Sequence, residues 1–189
     1  PFDYMNVGPV FDAHGTEYGA AAYTAYFEGY FNTTVTQEFK TYFVPFSAMA
    51  PMGEGGKPEG AAPSKRQLAA ITGLGFNQDG TAGKFELEVK EIAAGSPGGG
   101  GGGGGGKTLD LVTFQEGDKT NFKWTDLNDP VMGGRSTSTF KVEGGKGVFD
   151  GVCRIVPQLK APGFCNAEAR PSFGQKVPDA SAFIEGGME

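Results

Sequence analysis

The chain has 189 residues, 16 of them Lys or Arg and 22 Asp or Glu, which leaves a net charge of −6. One domain of ordinary size fits that length, and without a basic run there is nothing from which a phosphate-binding surface could be made, so nucleic acid is not an expected partner. Aromatic residues make up 12%, enough apolar mass to exclude disorder throughout; no stretch approaches the roughly 20 apolar residues that cross a bilayer, so a soluble or membrane-peripheral chain is expected.

Taken in chain order, the periodicity is two-fold. Ala21 to Phe31 sets Tyr23, Ala25 and Phe27 against Thr24, Tyr26 and Glu28, and Phe39 to Phe43 repeats the alternation until Pro45 stops it; both segments are expected to be strands. The Pro-, Gly- and Ala-rich stretch from Ala50 to Pro63 is a predicted loop, and Ser64 to Ala70 a turn or two of helix with Ser64 as its cap. Ile71 to Phe76 is a further strand. From Phe85 to Ile92 apolar Phe85, Leu87 and Val89 alternate with Glu86, Glu88 and Lys90, the pattern of a half-buried antiparallel strand. Short runs at Leu109–Phe114, Thr137–Val142, Gly147–Ile155 and Phe164–Ala169 are separated by Gly, Pro, Asn and Asp. Many short strands with frequent turn signals predict an all-β sandwich or barrel.

Of 33 glycines, nine form the unbroken run Gly98–Gly106, a flexible linker that separates residues 1–94 from 107–189. Each half supplies only about four or five strands where a sandwich needs about eight. A single domain crossed by the linker 95–106 is therefore expected.

Gly101, Gly106, Lys107 and Thr108 satisfy the spacing of a phosphate-cradling loop, but that chemistry needs a following helix and Leu109–Phe114 reads as a strand. A glycine tract before Lys-Thr meets the pattern by accident. The one histidine, His14, makes a His-dependent triad or a multi-histidine metal centre unworkable, and Cys153 and Cys165 have no His spaced for zinc. Neither a metal nor a cofactor is expected. The two cysteines flank a Pro/Gly loop, so either a disulfide or a pair of buried thiols fits. Asn32-Thr33-Thr34 is a glycosylation sequon by pattern alone. Glu86 and Glu88 sit at alternate positions of one strand, which fits a solvated face better than a glycosidase pair.

Trp124 to Ser138 carries the most information: an aromatic anchor, then Asn128 and Asp129 able to bond their own backbone, Pro130 fixing φ, and Gly133 and Gly134 supplying unusual dihedrals. Turn-forming residues account for almost every position, which favours a structural role. A functional reading of the same residues would place Trp124, Asp126, Asn128, Asp129, Arg135 and Ser136 around a small pocket at one end of the sandwich.

The string from Trp124 through Asn128-Asp129-Pro130-Val131-Met132-Gly133-Gly134-Arg135-Ser136 resembles the signature of the complex I intermediate-associated protein family, whose domain is a galactose-binding-like jelly roll. Gly147–Val152 and Ala161-Pro162-Gly163-Phe164 are similar to strands that follow it there. Features that come later in the family stand earlier here: Val44-Pro45-Phe46-Ser47, Ile71–Phe76, and Gly83–Ile92. The order resembles a circular permutation, or a cut from a tandem array, with the family's C-terminal half at 1–94 and its N-terminal half at 107–189. The resemblance implies a non-catalytic assembly factor or accessory subunit docking on protein subunits of an organellar membrane complex. Respiratory complex I in the mitochondrion and photosystem biogenesis at the chloroplast thylakoid are its implied settings, the plastid being slightly favoured. The alternative is a carbohydrate-binding module of jelly-roll type that takes a glycan.

Overall fold

The computed structural model describes residues 5–8, 27–29, 38–51, 60–71, 73–79, 82–96, 107–115, 119–120, 122–159, 163–171 and 176–188. In chain order these give β1 (Met5–Gly8), β2 (Phe27–Gly29), β3 (Val44–Pro45), β4 (Ala50–Pro51), helix α1 (Lys65–Leu68), β5 (Gly73–Asp79), β6 (Gly83–Val89) and β7 (Glu91–Gly95). There follow β8 (Thr108–Gln115), β9 (Lys119–Thr120), β10 (Phe122–Asn128), β11 (Thr137–Glu143), β12 (Lys146–Cys153), β13 (Phe164–Pro171) and β14 (Gly187–Met188).

The strands form three sheets, ordered β10-β13-β5-β1-β2-β4, β11-β12-β6 and β3-β14-β7-β8-β9, and their pairings are antiparallel. The molecule is an all-β sandwich, as the two-fold periodicity predicts. Strands from before and after the glycine tract pair directly: β5 on β13, β6 on β12, and β14 between β3 and β7.

An aromatic chain fills the space between sheets, because alternate residues of each strand point inward. Trp124 of β10 stacks on Phe140 of β11 at 3.9 Å between ring centroids and 11° between planes. Phe76 lies parallel to Trp124 at 6.0 Å, Phe114 tilts against it at 5.9 Å, and Phe85 meets Phe149 edge-on at 4.9 Å. Gly147 of β12 keeps this packing tight, since a Cβ there would fall 2.7 Å from the Phe114 ring and would also strike Phe140. Fully burying a Phe is worth roughly 1.5–3 kcal/mol, so these rings dominate the core.

The expected helix is present and short. Ser64 caps α1 by accepting from the Gln67 amide at 3.3 Å, while Gln67 Oε1 accepts from the Ser64 amide at 2.8 Å, a reciprocal capping box. Its Leu68 is fully buried, and the Leu68 carbonyl accepts from Ala180 N at 2.8 Å, tying the helix to the C-terminal segment.

Several boundaries differ from expectation. The strand read as Phe85–Ile92 is two strands, β6 and β7, which belong to different sheets and are separated by a bend at Lys90. The apolar phase reports the break: Ile92 follows Val89 by three residues, where an unbroken strand would need two. No strand forms over Phe39–Phe43; only Val44–Pro45 pairs, and Phe39 stays 47% exposed under the Lys90 ammonium, 4.3 Å from its ring centroid. The predicted loop 50–63 opens with the two paired residues of β4. Of the expected strand Ala21–Phe31 only Phe27–Gly29 is described; His14, the Asn32 sequon and the glycine tract lie outside the described residues. Among the described residues no helix is long and apolar enough to cross a membrane.

Candidate functional site

Residues Trp124 to Ser138, read as an aromatic anchor followed by a tight turn, span the end of β10, a 3₁₀ turn and the start of β11. Phe122 and Trp124 alternate with Lys123 and Thr125, so the segment up to Asn128 is strand β10, paired with β13 from Phe122↔Pro171 to Asn128↔Cys165. The turn proper is a 3₁₀ helix, Asp129–Met132, with Pro130 in its opening positions, where a missing N–H is harmless. Gly133 ends it in the left-handed region at φ 87°, its amide donating to the Pro130 carbonyl at 3.0 Å. Gly134 follows, and its amide donates to the Asp129 carbonyl at 3.0 Å. A Cβ on Gly134 would sit inside the Asp129 carboxyl group, so this glycine is the space into which that side chain folds.

Asp129 is 4% exposed and Ser136 fully buried. One carboxylate oxygen of Asp129 accepts from the Ser136 amide at 2.7 Å; the other accepts from the Ser136 hydroxyl at 2.7 Å and from the Phe164 amide at 3.2 Å. Ser136 Oγ in turn accepts from the Arg154 amide at 2.9 Å. Gly163 sits so close to the Arg154 carbonyl that a Cβ there would collide with it and stand 3.0 Å from Asp129 Oδ2. A single carboxylate thus ties the turn after β10 to the end of β12 and the start of β13. Three donors from two segments, the Ser136 amide and hydroxyl and the Phe164 amide, compensate the desolvation of the charge, which a buried carboxylate requires; the end of β12 is reached through Ser136 Oγ. Nearby, Asn128 Oδ1 accepts from the Ser138 hydroxyl at 2.6 Å, fastening β10 to β11.

The residues of the pocket reading take the following places in the structure. Asp129 and Ser136 come together, but facing each other inside the fold, with their polar atoms taken up by the clamp. Trp124 packs against the core, parallel to Phe140 and Phe76 and tilted against Phe114. Asp126 is exposed at the margin of its sheet, and burial by its neighbours pushes its carboxyl above the usual range, with the Phe140 amide hydrogen bond working against that and the Asp150 charge adding to it. Its bond to Phe140 links the edge strands of two sheets. Arg135 projects into solvent. Arg154, Gly163 and Phe164 complete the clamp and were absent from the candidate set; the cue was Gly163 directly before a strand, a position where two backbones approach closely.

Of the two readings of the cysteines, the structure has the pair of buried thiols, Cys153 and Cys165 both being free. Cys153 Sγ donates to the Gly163 carbonyl at 3.2 Å, and the Cys165 thiol is pushed up to about 11, chiefly by burial and then by Cys153. Each sulfur packs as a small apolar group among strand ends.

On the outer face of the second sheet, Lys84, Glu86, Thr137, Thr139 and Asp150 line a shallow groove. Glu88 is paired with Lys146 on that face and Glu86 is exposed beside it, a solvated charged surface. Lys107 is exposed and leads into strand β8, where a phosphate-cradling loop would need a helix. Among the described residues no cluster of His, Cys, Asp or Glu is suited to hold a metal ion.

Residues 112–184 match the family model of Complex I intermediate-associated protein 30 (CIA30), which supports the resemblance carried by the Asn-Asp-Pro-Val-Met-Gly-Gly-Arg-Ser string. The matched stretch contains every residue of the Asp129 clamp. No curated protein matches the chain, and no solved structure does.

Proposed function

We propose, on the premise of that match to the complex I intermediate-associated protein 30 family, that this chain is a non-catalytic docking module, an assembly factor or accessory subunit of a large organellar membrane complex of the complex I type. The observation that carries the reading is the clamp: the segment with the most distinctive sequence spends its carboxylate and hydroxyl on tying three strand ends together. Such a clamp makes a rigid end on a sandwich, suited to presenting a fixed surface to another protein at low entropic cost. Net negative charge fits the same role by opposing non-specific association. The order of the two halves, with the match lying after the glycine tract, is consistent with a permuted member of the family in which both halves build one domain.

The test is a native gel of gently solubilised source membranes, probed for the chain. Comigration with a complex of hundreds of kilodaltons, at a fixed ratio to its subunits or only with its partial assemblies, is the expected outcome; migration as a free ~20 kDa chain would overturn the reading and favour a soluble glycan-binding module.

A further inference from the structure

The end of the sandwich that the clamp holds rigid has an unusual surface. Outward from the clamp the chain continues as Arg154, Ile155 and a single 3₁₀ turn, Pro157–Leu159, none of whose residues is buried. Ile155 is 45% exposed and Leu159 41%. Leu159 lies over the Asp129 turn, with its Cδ2 3.7 Å from where a Gly133 Cβ would be. The Arg154 amide is bonded to Ser136 Oγ at 2.9 Å, which brings Arg154 and Arg135 to the same end, and both are exposed. Lys84, opposite Val152 on the neighbouring strand, adds a third exposed cation. The described ion pairs are elsewhere, at Lys146–Glu88 and Arg170–Glu168.

Among the described residues, a chain with net charge −6 therefore sets three exposed cations near two exposed aliphatic side chains at the clamped end. Apolar residues ringed by arginine are the composition of an interface centre, where Arg supplies directional bonds and the aliphatic groups supply desolvated area. Charge complementarity sets the partner's chemistry. Asp150 and Glu86 lie two residues further along their strands, on the outer face beside Lys84. An anionic bilayer is the weaker occupant: lipid-binding clusters carry roughly four to eight basic residues, and this end offers fewer on an acidic chain.

We infer that the surface formed by Arg135, Arg154, Ile155 and Leu159 is the docking face for a protein partner that presents an apolar segment bordered by Asp or Glu. The inference deepens the proposed function and rests on it. Both arginines can be changed without disturbing the clamp, because the Arg154 contribution there is its backbone amide and the Arg135 side chain is in solvent.

The experiment places a photo-crosslinking residue at position 155, 159 or, as a control on the outer face of β11, 141, in the full chain expressed in its own cells, with and without R135E/R154E. Crosslinks from 155 and 159 to one subunit of the membrane complex, at a peptide holding carboxylates beside apolar residues, are expected, with a yield about tenfold above position 141 and falling about tenfold on charge reversal. Unchanged thermal midpoints establish that the variants fold. Comigration with the complex but crosslinks equal at 141, or insensitive to R135E/R154E, overturns this inference and leaves the function standing. Loss of comigration in the unaltered chain overturns both. Flotation with vesicles of about 30% phosphatidylserine in phosphatidylcholine, abolished by R135E/R154E, assigns the face to a membrane and overturns the protein partner.

Discussion

Asp129 is the residue on which the candidate site turns. Replacing it with Asn exchanges one acceptor oxygen for an NH₂ group that must face a donor, whichever way the amide is turned, because both oxygens receive hydrogen bonds. Asp129→Asn is expected to cost about 2–4 kcal/mol and Asp129→Ala more, read from urea unfolding, with the loss spread over the ends of β12 and β13 in amide exchange. A small loss confined to the turn itself would contradict the clamp. Cys165 makes a second prediction at this scale. Its thiol is raised from 9.0 to about 11 in the folded chain, so folding favours the protonated form, and the associated stability is fully present below pH 9 and declines as pH rises through about 11. Cys165→Ala should unfold with a shallower alkaline dependence over that interval, and alkylation of the native thiol at pH 8 should follow global unfolding. Rapid alkylation would show an accessible cysteine.

At the scale of elements, legibility followed phase. β11 and β13 were readable because apolar and polar residues alternate over most of their length, and β12 because it is a short apolar-rich run between turn signals. Ser64 announced α1 as its cap, while its reciprocal partner Gln67 emerged only in the folded chain. β10 was hidden because Asn128, Asp129 and Pro130 drew the whole segment toward a turn, although Phe122-Lys123-Trp124-Thr125 alternates as a strand does. The opposite error occurred at Phe39–Phe43, where alternation was present but the chain pairs only from Val44. Periodicity states which faces a segment has and nothing about whether a neighbour lies alongside. The candidate site was legible in the same partial sense. Of its residues Asp129 and Ser136 do meet, yet the direction they face is decided by Gly134 and Gly163, whose missing side chains make room for an inward carboxylate. Close backbone approach is a property of the assembled fold, and a glycine in sequence carries no mark of it beyond its place before a strand.

For the whole molecule, the pairings across the glycine tract make the halves interdependent. β5 and β6 need β13 and β12 as neighbours, and β14 needs both β3 and β7. Residues 1–96 and 107–189 expressed separately should each lack cooperative unfolding and should regain it when expressed together, as followed by near-ultraviolet circular dichroism of the tyrosines in the first fragment and of Trp124 in the second. Cooperative unfolding of either fragment alone would mean that it carries its own core.

The pairing of Gly187–Met188 between Val44–Pro45 and Glu91–Gly95 also fixes an order of events in the cell. Gly186 and Gly187 sit so close to the Gly95 and Val44 carbonyls that no larger residue fits between them. Until residue 188 has left the ribosome, two strands of the third sheet wait with bare edges, open to any other nascent chain. Contacts between such distant parts of a chain form slowly. The growing polypeptide therefore depends on residues 187 and 188 to close this sheet, and a chaperone that shields extended segments during synthesis would meet its need in that interval.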